Sequence, residues 1–457
     1  MTFGSNGAVN ATASGSVTRT VTQGVRLGYG VGSFCTGTWG AVPGLLLLYY
    51  MTNIMAVPAW LAGIVVTAPK AWDLVANPLI GRWSDRTRSR LGPRRPWLLA
   101  GALTLPVAFT LTFAGPPITG APAAIYVGVC FLLSATAYSV FEVPYKTMSA
   151  EMTGDYHERT SLLQWRMVFV GVATAISGIA APAIVNAERP GGTPESYRLM
   201  AVFVALVMLA AMLGAFFGTA RAPAVIRAAP QQGSLFAQLS AARGNGPFWW
   251  LLAIASSQTL SGSVMLAGAP YFATYIMDDP KATSTLFAAL VIPLLLTMPM
   301  WVWLARRLDK RGAMILAGLL LGGGTAAAMA TPVFGTVYTH LTLLVAGVGL
   351  GGVQLMQFSM LADVVAADAA TTGRRRAGMF TGLWTAIESG VSAFGTMIFA
   401  AVLTVGGFIS SDPSRRVTQP AGAEAAIMIG QCLVPAVIIL MAVLMTFNYR
   451  LTADRVS

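Results

Sequence analysis

The sequence predicts an all-α membrane protein whose twelve transmembrane helices form two pseudo-symmetric six-helix bundles. Three observations lead to this prediction: an apolar composition, a series of long hydrophobic runs, and a repetition between the two halves. Hydrophobic residues make up 55% of the 457 residues and charged residues only 10%, whereas soluble proteins average about 25% charged residues. A chain with so few charges is excluded from the soluble and the disordered classes.

Twelve hydrophobic runs are long enough to be membrane spans, which need roughly 20 residues each. They lack the strict alternation of β-barrel strands. They fall near residues 25–50, 57–82, 96–115, 122–148, 160–185, 198–219, 248–276, 283–306, 312–331, 338–362, 376–407 and 425–448.

The longest polar interruption, at 220–247, divides the chain into two halves with similar loops. The basic loop at 81–86 resembles the one at 304–312, and the acidic loop at 149–155 resembles the one at 361–368. The predicted organisation is a disordered tail (1–23), one bundle (24–219), a cytoplasmic linker (220–247), a second bundle (248–448) and a cytoplasmic tail (449–457). Two repeated halves are typical of transporters that rock about a central site.

The distribution of Lys and Arg predicts the orientation. Most of the 29 basic residues fall in loops on one side, whereas the opposite loops hold Arg189, Arg198, Lys281, Arg415 and Arg416. By the positive-inside rule, both termini are cytoplasmic in a bacterial-type inner membrane. This bias accounts for the net charge of +12 without nucleic acid. The three cysteines (Cys35, Cys130 and Cys432) lie in apolar runs and are predicted to be buried thiols.

Six ionisable residues lie well inside the predicted spans: Lys70, Asp73, Glu142, Lys146, Arg166 and Glu388. A charge in hydrocarbon is costly, so each is expected to face a partner or an aqueous cavity. They occur in spans two, four, five and eleven, which predicts a central polar site.

Asp73 is the candidate for cation coupling, because a carboxylate in a low-dielectric cavity can bind a proton or a cation. The alternative is a structural pair with Lys70, one turn earlier. Glu142 and Arg166 are the candidates for sugar binding, because they accept and donate hydrogen bonds to hydroxyl groups. The alternative is a purely structural pair of Glu142 with Arg166 or with Lys146.

Several uncharged residues are further candidates for the substrate site. Trp39, Trp165 and Trp384 can stack on a sugar ring, and Gln354 can line the cavity. Their alternative roles are apolar core for the tryptophans and interhelical hydrogen bonding for the glutamine.

Three sequence blocks resemble the glycoside–pentoside–hexuronide:cation symporter family of the major facilitator superfamily. The first comprises 72–81 and 84–97. The second comprises 142–145 followed by Asp155, Glu158, Arg159 and Arg166. The third comprises 360–365, 372–376 and 378–380. The blocks occur in the family's order, and the resemblance implies the twelve-helix fold and a cation-coupled sugar substrate.

The resemblance also implies residue roles. Asn77 stands where the family has a second cation-site carboxylate, and Ser139 matches a hydroxyl of that site; with Asp73 and Lys70 these form the predicted coupling site. Because sodium prefers more oxygen ligands than this set retains, we expect coupling to protons rather than to sodium, or a loss of coupling. Tyr145 and Lys146 belong to the predicted substrate site, although Lys146 stands where a family member has a stacking tryptophan.

The remaining implied roles concern gating. Asp85, Arg86, Asp363 and Arg375 belong to cytoplasmic loops that act as gates in the family, and their alternative role is to set membrane topology. Glu388 lies near the position of a family lysine that is absent here, and it is predicted to pair with a basic residue.

The sequence therefore predicts a secondary transporter that moves a sugar or glycoside with a cation by alternating access. The alternative is a carrier of the same fold for a lysophospholipid, a drug or another amphiphile. A membrane enzyme is disfavoured because the sequence has no nucleotide-binding loop, HExxH, GxSxG or metal-ligand cluster. We expect no cofactor, a small-molecule substrate, contact with the lipid bilayer, no nucleic-acid partner and a monomeric protein.

Overall fold

The computed structural model describes residues 21–153, 155–222, 239, 242–373, 376–412 and 417–449, and these are almost entirely helical. Most of the predicted N-terminal tail, linker and C-terminal tail lies outside the described residues. The predicted division of the chain at those boundaries therefore stays a prediction.

The helices are α1 (Gln23–Asn53), α2 (Ala59–Arg86), α3 (Arg95–Phe113), α4 (Ala121–Met152), α5 (Tyr156–Val185), α6 (Pro194–Gly218), α7 (Gly246–Tyr271), α8 (Ala282–Leu296), α9 (Met298–Ala327), α10 (Thr331–Thr372), α11 (Ala377–Val405), α12 (Ala421–Met428) and α13 (Val434–Thr446). A π-helical turn, Phe272–Ile276, extends α7, and another, Ile429–Leu433, joins α12 to α13. Side chains of Thr22, Asp155, Thr193 and Asn245 cap the helices that follow them, because they accept a backbone N–H that has no partner inside the helix.

Ten helical runs in the described residues are long and apolar enough to cross a membrane. One of them, Met298–Thr372, is 75 residues long and leaves helical geometry at Asp309 and Gly335. The Asp309 carboxylate accepts the backbone N–H of Gly312 at 2.8 Å, so this residue ends one helical segment and caps the next. The membrane-protein fold is confirmed, and the total of twelve spans stays a prediction.

The two halves of the chain contact each other near the loop that joins α1 to α2, which we call the α1–α2 end. Here α2 packs on α11 and α5 packs on α8. A Cβ on Gly63 would lie 2.6 Å from the Cβ of Ala400, and one on Gly178 would lie 2.1 Å from the Phe287 ring. Only glycine permits such close approaches.

Three hydrogen bonds between side chains join α1 to the end of α7 at this end, and we call them the clasp. They join Tyr49 to Thr274 at 3.1 Å, Thr52 to Tyr271 at 2.6 Å, and Tyr275 to Asn53. The three bonds lie along about one turn of each helix and bind the two halves together.

The loop after α11 reinforces the clasp through the backbone. The N–H of Ser411 donates to the carbonyl of Thr52 at 2.9 Å, and the N–H of Ala56 donates to the carbonyl of Ser411 at 3.1 Å. The hydroxyl of Ser410 donates to the carbonyl of Val57 at 2.7 Å.

The opposite end of the molecule, near the loop between α2 and α3, is called the α2–α3 end. The bond that lies deepest in the bundle between described residues of the two halves runs from Thr67 to the carbonyl of Ala393, at 3.2 Å. Hydrogen bonds and ion pairs nearer the α2–α3 end join described residues within one half only. The halves therefore meet at the α1–α2 end and separate toward the α2–α3 end.

The three cysteines are buried and free of disulfide bonds, which confirms the prediction. Cys35 and Cys432 belong to an apolar cluster that extends from α1–α6 into the α1–α2 end of the other half. A second apolar cluster fills the rest of the second half.

Candidate functional site

Glu142 on α4 is the centre of a charged cluster in the first half, and its side chain is only 5% exposed. Its Oε1 lies 3.0 Å from Nη2 of Arg166 on α5 and 3.0 Å from Nζ of Lys146. Its Oε2 accepts the hydroxyl of Thr36 on α1 at 2.9 Å. Both pairs that the sequence offered as the structural alternative to sugar binding, Glu142 with Arg166 and Glu142 with Lys146, are present.

The cluster leaves one cation open to solvent. The side chain of Lys146 is 48% exposed, whereas that of Arg166 is 17% exposed. A buried carboxylate with three donors is satisfied in this conformation. A substrate hydroxyl can replace Lys146 or Thr36 as a partner of Glu142 without leaving the carboxylate bare.

Asp73 on α2 accepts the hydroxyl of Ser139 on α4 at 3.3 Å. Asn77, one turn later on the same helix, is exposed. Among the described residues, Lys70 is not within the 4.0 Å ion-pair distance of Asp73. The structure thus places Asp73 beside Ser139 as predicted, without the alternative salt bridge to Lys70.

A cavity of about 110 Å³ lies between the two halves next to Asp73. Residues from both halves line it, among them Trp39, Lys70, Asp73, Phe131, Ser263, Leu266, Ser392 and Thr396. Asp73 and Lys70 therefore face the opposite half of the molecule, where a change in their charge can alter the contact between halves.

Two of the predicted stacking residues have aromatic neighbours. Trp39 lines the cavity but stacks on Tyr138, with ring centroids 4.9 Å apart and planes at 15°. Trp165 is half-buried, and its ring lies 6.3 Å from that of Phe169. Phe131 also stacks on Trp39, with ring centroids 5.7 Å apart, and Phe109 meets it edge-on at 6.4 Å, so Trp39 belongs to an aromatic cluster at the wall of the cavity.

Two other predicted substrate residues lie in apolar cores. Tyr145 is fully buried, with its hydroxyl 2.7 Å from that of Ser33 and donating to the carbonyl of Tyr29. Trp384 is 2% exposed in the apolar cluster of the second half. Neither is open to a substrate in this conformation. Gln354 on α10 is half-buried.

The predicted gate residue Asp85 belongs to a network around Arg94, the residue directly before α3. Nη2 of Arg94 lies 2.6 Å from Asp85 and 2.6 Å from Glu151, and Nη1 donates to Ser84 at 2.6 Å. Burial lowers the pKa of Arg94, but hydrogen bonds to the two carboxylates outweigh it and raise the pKa. Arg86 is exposed, and no ion pair of it is recorded among the described residues.

The second half carries the counterpart of this network. Nζ of Lys310 lies 2.5 Å from Asp363, so Asp363 joins α9 to α10. Arg375 lies outside the described residues. Glu388 accepts the hydroxyl of Thr259 at 3.4 Å, and its predicted pairing with a basic residue is not seen among the described residues. Each network joins helices within one half, so neither network holds the two halves together at the α2–α3 end.

A larger cavity of about 510 Å³ opens at the α1–α2 end. The clasp residues Tyr49, Asn53, Thr274 and Tyr275 line it together with Arg189. The clasp therefore separates this cavity from the smaller one beside Asp73.

Sequence reasoning missed the clasp and the role of Thr36. A usable signal existed for the clasp, because Tyr49, Tyr271 and Tyr275 lie at the ends of spans one and seven. The repeat places these two spans at equivalent positions in the two halves. Thr36 had no such signal, since a threonine in an apolar span is common and its partner is 106 residues away.

The chain resembles known transporters over nearly its whole length. It is 28% identical to the putative glycoside/cation symporter YagG of Escherichia coli, over 94% of this chain and 93% of that protein. It is 22% identical to the sodium-dependent lysophosphatidylcholine symporter 1-A of Danio rerio, over 71% of this chain and 67% of that protein.

A solved structure shares the fold. The crystal structure of a D-xylose-proton symporter superposes with a TM-score of 0.66 at 13% identity, covering 93% of this chain and 97% of that one. Residues 28–453 match the family described as MFS/sugar transport protein. The chain is a membrane transporter and belongs to the MFS/sugar transport protein family.

Proposed function

We propose that the protein is a symporter that moves a sugar or glycoside together with a cation by alternating access. The observation that carries the proposal is the Glu142 cluster, in which one buried carboxylate faces donors from α1, α4 and α5. A carboxylate that accepts hydrogen bonds, next to cationic side chains that donate them, suits a ligand rich in hydroxyl groups. The family and the similarity to a putative glycoside/cation symporter support the same substrate class.

The conformation supports alternating access. The clasp closes the α1–α2 end, whereas hydrogen bonds between the halves are missing from the described part of the α2–α3 end. Basic residues concentrate at the α2–α3 end, so we propose that this end and both termini face the cytoplasm of a bacterial-type inner membrane. The structure then corresponds to the inward-facing state of a monomeric carrier.

Asp73 is the proposed coupling site, and the proposed ion is a proton. The oxygens near it are those of Ser139 and its own carboxylate, with an exposed amide at Asn77. A single carboxylate in a cavity can take up a proton, whereas a sodium ion needs several oxygen ligands.

The test uses the purified protein in proteoliposomes with labelled mono-, di- and glycosides, first by counterflow and then with an imposed gradient. A proton gradient should drive accumulation in sodium-free buffer. If a sodium gradient alone drives accumulation, the proposed ion is wrong. If no sugar or glycoside exchanges, the proposed substrate class is wrong.

The second candidate substrate is a lysophospholipid or another amphiphile. The observation that favours it is the similarity to a lysophosphatidylcholine symporter. Ligand-induced thermal stabilisation separates the two, because a ligand that binds the folded state raises its stability by mass action. Stabilisation by lysophospholipid with no response to sugars would favour this candidate.

A further inference from the structure

Lys70 is a cation inside the bundle with no close partner. It lines the cavity between the halves, and no hydrogen bond or ion pair of it is recorded among the described residues. The neighbouring cation Lys146 is engaged with Glu142 at 3.0 Å, while Asp73 lies beyond ion-pair distance of Lys70. The side chain of Lys70 is exposed in the present conformation, whereas a lysine enclosed within a membrane span would keep its charge only at a cost.

Glu388 on α11 is a matching anion in the opposite half. It accepts a long hydrogen bond of 3.4 Å from Thr259 and has Trp384, one turn earlier on α11, as a second neutral partner, and no cation pairs with it in the described part of the chain. Ser392, four residues later on the same face of α11, lines the same cavity as Lys70. The carboxylate therefore lies one helical turn from that cavity, toward the α2–α3 end.

The packing of α2 on α11 sets the register of the two charges. Gly63 lies beside Ala400, and Thr67 donates to the carbonyl of Ala393 at 3.2 Å, so the helices run antiparallel. Lys70 lies three residues beyond Thr67 and Glu388 five residues beyond Ala393, so the two charges are within about one helical turn of each other along the helix axes, at the point where the two halves begin to separate.

We propose that Lys70 and Glu388 form an ion pair between the two halves when the α2–α3 end closes, and that this pair stabilises the outward-facing state. Closure expels water from around both charges, which strengthens their attraction and makes an unpaired charge there costly. The pair distinguishes the two states because it is open in the present one, as a conformational switch requires. The proposal rests on alternating access as the proposed function.

The experiment measures how often the α1–α2 end opens, without any substrate. Cys35, Cys130 and Cys432 are replaced by alanine, and Thr396→Cys is added as a reporter, since Thr396 lines the cavity and is 7% exposed. A membrane-impermeant maleimide added from the α1–α2 side reaches this cysteine only when the clasp opens. The initial labelling rate then reports the outward-facing population.

We expect Lys70→Gln and Glu388→Gln each to slow labelling by about tenfold, within the usual range of coupling between two sites. The double variant should label no more slowly than either single variant. The exchanged pair Lys70→Glu/Glu388→Lys should regain most of the original rate. Additive effects in the double variant, or an exchanged pair slower than both singles, would overturn the proposal.

A cysteine pair tests the same contact if the charge variants do not fold. Lys70→Cys/Glu388→Cys should be joined by a short bifunctional maleimide faster than the control Lys70→Cys/Ser389→Cys, whose second cysteine points about 100° away around α11. Equal rates would refute the pair. If the charge variants transport sugar and label at the original rate, the ion pair is refuted and the proposed substrate class stands. If labelling changes as expected but no variant and no parent protein transports sugar, the substrate class is refuted and the ion pair stands.

Discussion

Arg166 on α5 and Glu142 on α4 form an ion pair of 3.0 Å that is largely shielded from solvent. The carboxylate also accepts Thr36 from α1, so the pair connects three helices of the first half. A buried carboxylate with three donors stabilises the bundle only while its partners remain, because an unpaired buried charge is costly.

Glu142→Gln should abolish sugar counterflow and lower the melting temperature. The amide keeps an acceptor for Thr36 but no longer offsets Arg166 and Lys146, and loss of one member of a buried pair costs about 3–5 kcal/mol. Counterflow in proteoliposomes and thermal unfolding in detergent measure the two effects. Glu195→Gln is the matched control, because Glu195 is exposed at the start of α6. Normal counterflow in Glu142→Gln would exclude a substrate role.

Asp73→Asn should abolish uphill accumulation while leaving counterflow intact. The amide preserves the size of the side chain and a hydrogen bond from Ser139, but it does not take up a proton. Uptake under a proton gradient and counterflow without one are compared on the same vesicles. Asp279→Asn, in an exposed loop position, serves as the control. Uphill uptake that survives in Asp73→Asn would assign the coupling to another residue.

Removal of two clasp hydroxyls should shift the protein toward the outward-facing state. Tyr271→Phe/Tyr275→Phe keeps both rings and deletes the bonds to Thr52 and Asn53. At about 0.5–1.5 kcal/mol per bond, the ratio of the outward-facing to the inward-facing population should rise by about 5- to 160-fold. Labelling of a Thr396→Cys reporter from the α1–α2 side measures this rise.

The matched control for the clasp is Tyr126→Phe. The hydroxyl of Tyr126 donates to the carbonyl of Leu111 within the first half, so its loss removes a similar bond without joining or separating the halves. A control that raises labelling as much as the clasp variant would contradict the assigned role.

The sequence predicted the helices and the charged site because both follow from local rules. A run of apolar residues specifies a span. A charge inside a span requires a partner or an aqueous cavity, which is why Glu142 and Arg166 were both expected at one central polar site. The positions of Tyr145 and Trp384 did not follow, since the apolar pattern of a buried helix does not tell which face meets a neighbouring helix and which meets a cavity.

The clasp and the open α2–α3 end were also beyond sequence reasoning, for a different reason. They depend on how the two halves are arranged in one of at least two states, and both states satisfy the same apolar pattern. Thr52 and Tyr271, 219 residues apart, are joined only when the α1–α2 end is closed.

Arg94→Ala should destabilise the protein far more than Arg86→Ala, although both arginines flank the same loop. Arg94 is 7% exposed and contacts Asp85, Glu151 and Ser84, so its loss leaves the half-buried Glu151 without its cation. We expect a loss of about 2–4 kcal/mol for Arg94→Ala, from hydrogen bonds between charged groups and an unpaired carboxylate. Arg86 is exposed, and its substitution should change stability by less than about 0.5 kcal/mol.

Thermal unfolding of Arg94→Ala and Arg86→Ala in the same detergent compares the two losses of stability. Arg94→Lys should recover part of the loss, since an ammonium replaces the charge but not the forked geometry of the guanidinium. Equal melting temperatures for Arg94→Ala and Arg86→Ala would mean that the network sets topology without holding α3 to α4.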